Sequence, residues 1–175
     1  MAAPPAPAPR LFLALWPADG VREGLAGWRD RWCWPAGAAP TLTERLHLTL
    51  HFLGPVAADR VASLCIALRE GVGVGEFTLE FGRAELWPGG IAVVCPLAMP
   101  AALSQLHERL ALGLRALGLP VDERPFRPHV TLARRARQAV VPPDGPAVTW
   151  RVGNGFVLVE SLRGSQGYQV LQRLG

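Results

Sequence analysis

The sequence predicts an α+β protein: a bilobal, pseudo-twofold pair of antiparallel sheets with flanking helices and a groove between the lobes. Three observations predict it. Short apolar runs of strand length outnumber the helical segments. Their order, strand–helix–strand–helix–hairpin–helix–strand–hairpin, does not alternate as a parallel sheet would. One motif, R-x-H-x-T-L, occurs twice, at 45–50 and 127–132, each copy near an amphipathic helical stretch.

The N-terminal MAAPPAPAPR is rich in proline and alanine, so residues 1–9 are expected as a disordered extension and 10–175 as one domain of two lobes. Leu11 to Trp16 reads as a buried strand ended by Pro17. Asp19 is a candidate N-cap for a helix over 21–33, closed by Pro35. The first motif strand covers 46–53 and stops at Gly54-Pro55. A helix over 58–70 follows, with Val61, Leu64, Cys65 and Leu68 at helical spacing.

Runs at 77–86 and 91–97, joined by Trp87-Pro88-Gly89-Gly90, predict a hairpin. Leu103, Leu106, Leu110 and Leu114 share one face of a helix over 101–117. The second motif strand covers 126–133, and after a Pro/Gly loop two strands are expected at 150–159 and 168–173.

Composition narrows the class. Half of the 175 residues are hydrophobic, which excludes a disordered chain. Cys33, Cys65 and Cys95 are odd in number and lack C-x-x-C spacing, so neither a disulfide framework nor a structural zinc site is expected. No run approaches the ~18 apolar residues of a membrane span. A soluble, cytoplasmic monomer with no membrane association is the expectation. All 18 basic residues are arginine, which a GC-rich coding bias explains first. Guanidinium groups are nevertheless the better bidentate partners for phosphate, and the net charge of +4 suits an anionic ligand.

In a strand, side chains alternate between faces. His47 and Thr49 therefore project together while Leu48 and Leu50 enter the core; His129 and Thr131 do the same against Val130 and Leu132. Each strand thus offers one imidazole and one hydroxyl on an apolar platform. Across a cleft, two imidazoles can act as general base and general acid near neutral pH. Threonine hydroxyls can donate to non-bridging phosphate oxygens, and no carboxylate cluster accompanies the histidines, so neither metal nor cofactor is expected. By parity Arg45, Arg127 and His51 fall on the histidine face, His51 at the groove rim; Arg134 reaches it only if a bulge or the strand's end redirects it. His107 reads as the solvated face of its helix. Phe12, Phe52 and Phe126 are the candidates for stacking a base.

HLTLHFLG at 47–54 and FRPHVTLAR at 126–134 resemble the paired HxTx motifs of the 2H phosphoesterase superfamily. RLFLALWP near the start and Glu160-Ser161-x-x-x-Gly164…Gly167-Tyr168 near the end are similar to its opening and closing patterns. The resemblance is greatest to the LigT-like RNA 2′,3′-cyclic phosphodiesterases, historically called 2′–5′ RNA ligases. It implies a site in the groove between the lobes, with His47 as proton donor and His129 as proton acceptor. It implies phosphate binding by Thr49, Thr131 and Arg134, and Arg127 joins that list by parity. The implied reaction is water attack on an RNA 2′,3′-cyclic phosphate, leaving a 2′-phosphate, with reversible 2′–5′ joining as its counterpart. An esterase for small cyclic nucleotides such as ADP-ribose cyclic phosphate, or a non-catalytic nucleotide- or RNA-binding module on the same fold, are the alternatives.

Overall fold

A computed structural model describes residues 8–73, 75–153, 155–162, 164 and 167–175. Nine strands of one antiparallel sheet are found among them: β1 Arg10–Leu15, β2 Ala39–Pro40, β3 Leu48–Pro55, β4 Phe77–Trp87, β5 Ile91–Pro96, β6 Val130–Arg134, β7 Val148–Val152, β8 Phe156–Ser161 and β9 Tyr168–Leu174. Three α-helices accompany them: α1 Asp19–Arg29, α2 Val61–Gly71 and α3 Ala101–Ala116. The strands run in the order β7-β4-β5-β6-β3-β1-β8-β9, with the short β2 beside β6.

The order divides into two four-stranded halves that meet at β6 and β3. Among the described residues, their ladder holds a single pair, Leu48↔Val130. Helix α1 follows β1 but packs on β6 and β7 of the other half, while α3 follows β5 and packs on β3. Each half is covered by a helix that the other half's strand leads into, so the two halves fold over one core. From Leu11 onward β1 is apolar because both of its faces are covered: Leu11, Leu13 and Leu15 enter the main core, while Phe12 and Ala14 join Val157 and Val159 in a second cluster.

Most expected elements form, with boundary shifts of one to four residues. The hairpin turn is a type II turn: Gly90 donates its N–H to the Trp87 carbonyl, and Gly89 supplies the positive φ of +85°. Helix α3 ends in a Schellman turn at Gly118 (φ +68°), with Leu119 N–H bonded to the Leu114 carbonyl and Gly118 N–H to that of Arg115.

Four expectations need correction. Asp19 is the first helical residue and not the cap; its carboxylate pairs with Arg22, and Ala18 holds the cap position without a side-chain bond. The helix ends at Arg29, well short of 33. Gly54 and Pro55 lie inside β3, pairing with Leu11 and Arg10. The strand expected over 150–159 is two strands in different halves, β7 beside β4 and β8 beside β1. Gly155 takes φ +102°, and a Cβ there would lie 2.3 Å from the Leu174 carbonyl oxygen, so only glycine fits between them.

Of the N-terminal extension, residues 1–7 lie outside the described residues. The chain is tied down from Pro9, whose carbonyl accepts the Val56 N–H. Among the described residues, no helix is long and apolar enough to cross a membrane.

Candidate active site

Both histidines stand immediately before their strands, His47 between a 3₁₀ turn at Thr43–Arg45 and β3, His129 one residue before β6. In each case the ring turns back and donates Nδ1–H to a carbonyl two residues earlier. His47 bonds the Arg45 carbonyl at 2.6 Å, and His129 bonds the Arg127 carbonyl at 2.7 Å. A carbonyl can only accept, so Nδ1 carries the proton and Nε2 is left for chemistry. His47 Nε2 lies 3.1 Å from the Thr49 hydroxyl oxygen. The Leu48↔Val130 pairing is antiparallel, so its register sets Thr131 across from His47 and His129 across from Thr49.

His47, Thr49, His129, Thr131 and Arg134 all line one groove of about 590 Å³. Arg10, Phe12, Phe52, Trp87, Arg124 and Tyr168 complete much of its wall.

How Arg134 arrives there is visible in the ladder. Val93 pairs with Thr131 and Ala92 with Ala133, so Leu132 is an extra residue, a bulge that reverses the parity beyond it. The same event occurs in β3, where Ala14 pairs with Thr49 and Leu13 with His51, leaving Leu50 extra. There it delivers Phe52, five residues after its histidine as Arg134 is after His129. Phe52 is 63% exposed, whereas Phe12 is packed beneath His47 and Phe126 stacks on His107. Of the three candidate aromatic residues, Phe52 alone offers an open face to the groove.

The bulge also corrects two readings. His51 is not at the rim: turned inward, it is only 4% exposed. His107 is not a solvated helix residue but stacks on His51 with ring centroids 4.0 Å apart. Arg127 is placed differently from the other phosphate candidates. Its guanidinium lies 4.3 Å over the Trp87 ring and pairs with Glu85 at 3.0 Å, beside a separate depression. What it brings to the groove is the carbonyl that orients His129.

The environments of the two imidazoles differ. His47 is enclosed by Trp16, Phe12 and Tyr168, at centroid distances of 5.3, 5.0 and 5.1 Å. Burial pushes it down to about 4; the Arg45 carbonyl pulls upward, and the charges of His129 and Arg134 lower it further. His129 has Trp87 at 4.4 Å and is also lowered, again first by burial, then by Arg134 and Arg127, with the Arg127 carbonyl and the Glu85 carboxylate opposing. Glu85 itself is held below the ordinary carboxylate range by the Trp87 indole N–H and by Arg83 and Arg127. Burial is thus the first cause of the shift in both rings.

Trp16, Trp87, Glu85 and Tyr168 surround the two imidazoles, and parity reasoning misses them. The signal for Tyr168, the single tyrosine of the chain, is its place in the closing Gly167-Tyr168 pattern. Gly167, at φ +87°, leaves room for the Arg45 guanidinium, which a Cβ would meet at 2.5 Å.

A family model for the 2′-5′ RNA ligase superfamily matches residues 18–156. The RNA 2′,3′-cyclic phosphodiesterase of Escherichia coli is 33% identical over 167 residues, spanning 94% of each chain. That of Thermus thermophilus is 33% identical over 178 residues, spanning 94% of this chain and 88% of its own. The crystal structure of E. coli LigT complexed with 3′-AMP superposes with a TM-score of 0.84 at 31% identity, over 95% of this chain and 97% of that one. Matches of this length, on top of two histidine–threonine strands facing one groove, establish that the chain belongs to the 2′-5′ RNA ligase superfamily, in its LigT-like group.

Proposed function

We propose that this protein hydrolyses 2′,3′-cyclic phosphodiesters at RNA ends to 2′-phosphomonoesters by two-histidine acid–base catalysis. The observation that carries this reading is the pair of imidazoles in one groove with two threonines, each ring held through Nδ1 by a backbone carbonyl. The names of its E. coli and Thermus relatives support it.

His129 Nε2 takes a proton from water as the water oxygen attacks phosphorus. The bond from phosphorus to O3′ breaks, and His47 Nε2 gives O3′ its proton. Thr49 and Thr131 hydroxyls and the Arg134 guanidinium hold the non-bridging oxygens, whose charge grows in the transition state. Replacing water by an RNA 5′-hydroxyl gives 2′–5′ joining by the same proton transfers.

In the free enzyme both imidazoles are lowered, His47 to about 4. The anionic phosphate opposes this: its negative charge raises both imidazoles and draws protonation toward the buried donor. Because both histidines start below the ordinary 6.5, kcat/KM, which reports the free enzyme, should peak on the acid side of pH 6.5. Arg134 lowers both rings, so Arg134→Gln should move both limbs to higher pH besides weakening substrate binding. A wild-type optimum of kcat/KM above pH 7 contradicts this account.

The test of function is turnover, in EDTA, of a 2′,3′-cyclic-terminated oligonucleotide beside the corresponding mononucleotides, with the position of the product phosphate determined. Retained activity and a 2′-phosphate are expected; loss on chelation restored by a divalent ion would end the two-histidine mechanism. Arg10 and Arg124 line the groove together with Arg134, which favours the oligonucleotide. Faster turnover of the mononucleotide would favour the small-nucleotide reading, and turnover of neither a binding module.

A further inference from the structure

The two halves hold their histidines in different ways. On the His47 side the orienting carbonyl belongs to Arg45, in a 3₁₀ turn closed by backbone bonds from Arg45 N–H to the Leu42 carbonyl and from Leu46 N–H to that of Thr43. On the His129 side it belongs to Arg127, and residues 119–129 form neither helix nor strand. Pro125 and Pro128 flank that carbonyl and have no N–H to give. The approach to His129 is anchored instead by a carboxylate two strands away.

Glu85 of β4 lies in register with Val93 of β5, which pairs in turn with Thr131 of β6. Opposed residues of an antiparallel ladder share a face, so this row brings Glu85 to the side of the sheet that bears Thr131. One carboxylate oxygen, Oε2, accepts the Trp87 indole N–H at 2.6 Å and an Arg127 guanidinium N–H at 3.0 Å. The other, Oε1, accepts from Arg83 Nε at 2.7 Å. Trp87 packs against the His129 ring at 4.4 Å and carries the Arg127 guanidinium 4.3 Å over its own ring. The Arg127 carbonyl bonds His129 Nδ1 at 2.7 Å. Both neighbours that fix the imidazole thus converge on one carboxylate. The matching row of the other half runs from Thr49 through Ala14 to Val157 and ends without a charge.

We propose that Glu85 is a positioning residue for His129: it ties Trp87 and Arg127 into one unit that fixes the ring, and it balances the charge the ring acquires on taking a proton. An imidazolium at His129 faces Arg127 from the approach and Arg134 from β6, with His47 across the groove. Arg83 of β4 is turned to Glu85, and Cys95 of β5 stays a neutral thiol, pushed up to about 11 first by burial. Glu85 is the carboxylate that opposes these cations at His129, and the Trp87 N–H, Arg83 and Arg127 keep it ionised.

The proposal rests on the cyclic phosphodiesterase reading for its kinetic arm, and its titration arm is free of that reading. Glu85→Leu should lower kcat on the order of tenfold with less effect on KM, because a displaced base slows the chemistry more than it weakens binding. Glu85→Gln keeps an oxygen for the indole N–H and should recover part of that loss. Arg127→Leu should also lower kcat, and adding Glu85→Leu to it should cost about twofold more at most, since both act through one unit. Full multiplication of the two losses, or unchanged kinetics in a folded Glu85→Leu, would overturn the proposal. The second arm follows the imidazole ring signals of the wild-type protein and of Glu85→Gln by NMR across pH. Loss of the carboxylate disfavours the imidazolium beside it, so the His129 midpoint should move to lower pH while that of His47 stays. Equal movement of both rings, or of neither, refutes the proposal whatever the substrate. A shift confined to His129 in a protein that turns over no cyclic phosphodiester would uphold the tie and strike the enzymatic reading instead.

Discussion

His47→Ala and His129→Ala should each stop hydrolysis of an ordinary cyclic ester, and only one of them should be rescued by a better leaving group. General acid and general base each contribute about 10²–10⁴ in rate, so either loss is expected within that range. An activated leaving group at the 3′ position departs without a proton and should restore part of the His47→Ala rate. It should do nothing for His129→Ala, where activation of water is what has gone. The contrast matters because burial lowers both rings, His47 to about 4, so the free enzyme does not by itself assign the donor. Rescue of His129→Ala alone would mean that the roles are exchanged. The two limbs of a pH profile do not decide between these cases, since they belong to the coupled pair and not to either residue. The leaving-group comparison does.

Thr49→Ala and Thr131→Ala carry the next largest effect, on the order of 10² each, the usual cost of losing one transition-state donor. The loss should fall mainly on kcat, because the charge these hydroxyls meet grows only as phosphorus is attacked. Serine at either position should keep most of the rate and valine should not. The thermal midpoint should barely change, since both side chains border the groove and stay out of the main core. Threonine→serine variants as slow as the alanines would place the hydroxyls elsewhere.

Much of this site is legible in the sequence because strand parity is a strong rule over short distances. His47 with Thr49, and His129 with Thr131, needed nothing more. Five residues on, parity alone fails, and it fails for one reason in both strands. A bulge at Leu132 turns Arg134 into the groove; the matching bulge at Leu50 turns Phe52 in and His51 away. Applied to one repeat only, the bulge explains the arginine and leaves His51 misplaced. Applied to both, it places all three. What local patterns do not contain is the enclosure of His47, since Trp16 and Tyr168 come from segments remote in sequence and meet the ring only through the order β3-β1-β8-β9. The separation of β7 from β8 is missed for another reason: the runs 150–152 and 156–159 are joined across Gly153 and Gly155, which passes over the breaking signal of the two glycines.

The single Leu48↔Val130 pair that joins the halves has a mechanical consequence. When a body flexes about a line, each point moves in proportion to its distance from that line. His47 and His129 sit one residue from this seam, so any flexing about it would displace them least. Phe52 and Arg134 stand four residues along their strands from it, roughly 13 Å at the usual rise. Such flexing would move the mouth of the groove, at Phe52 and Arg134, through a wider arc than the two imidazoles.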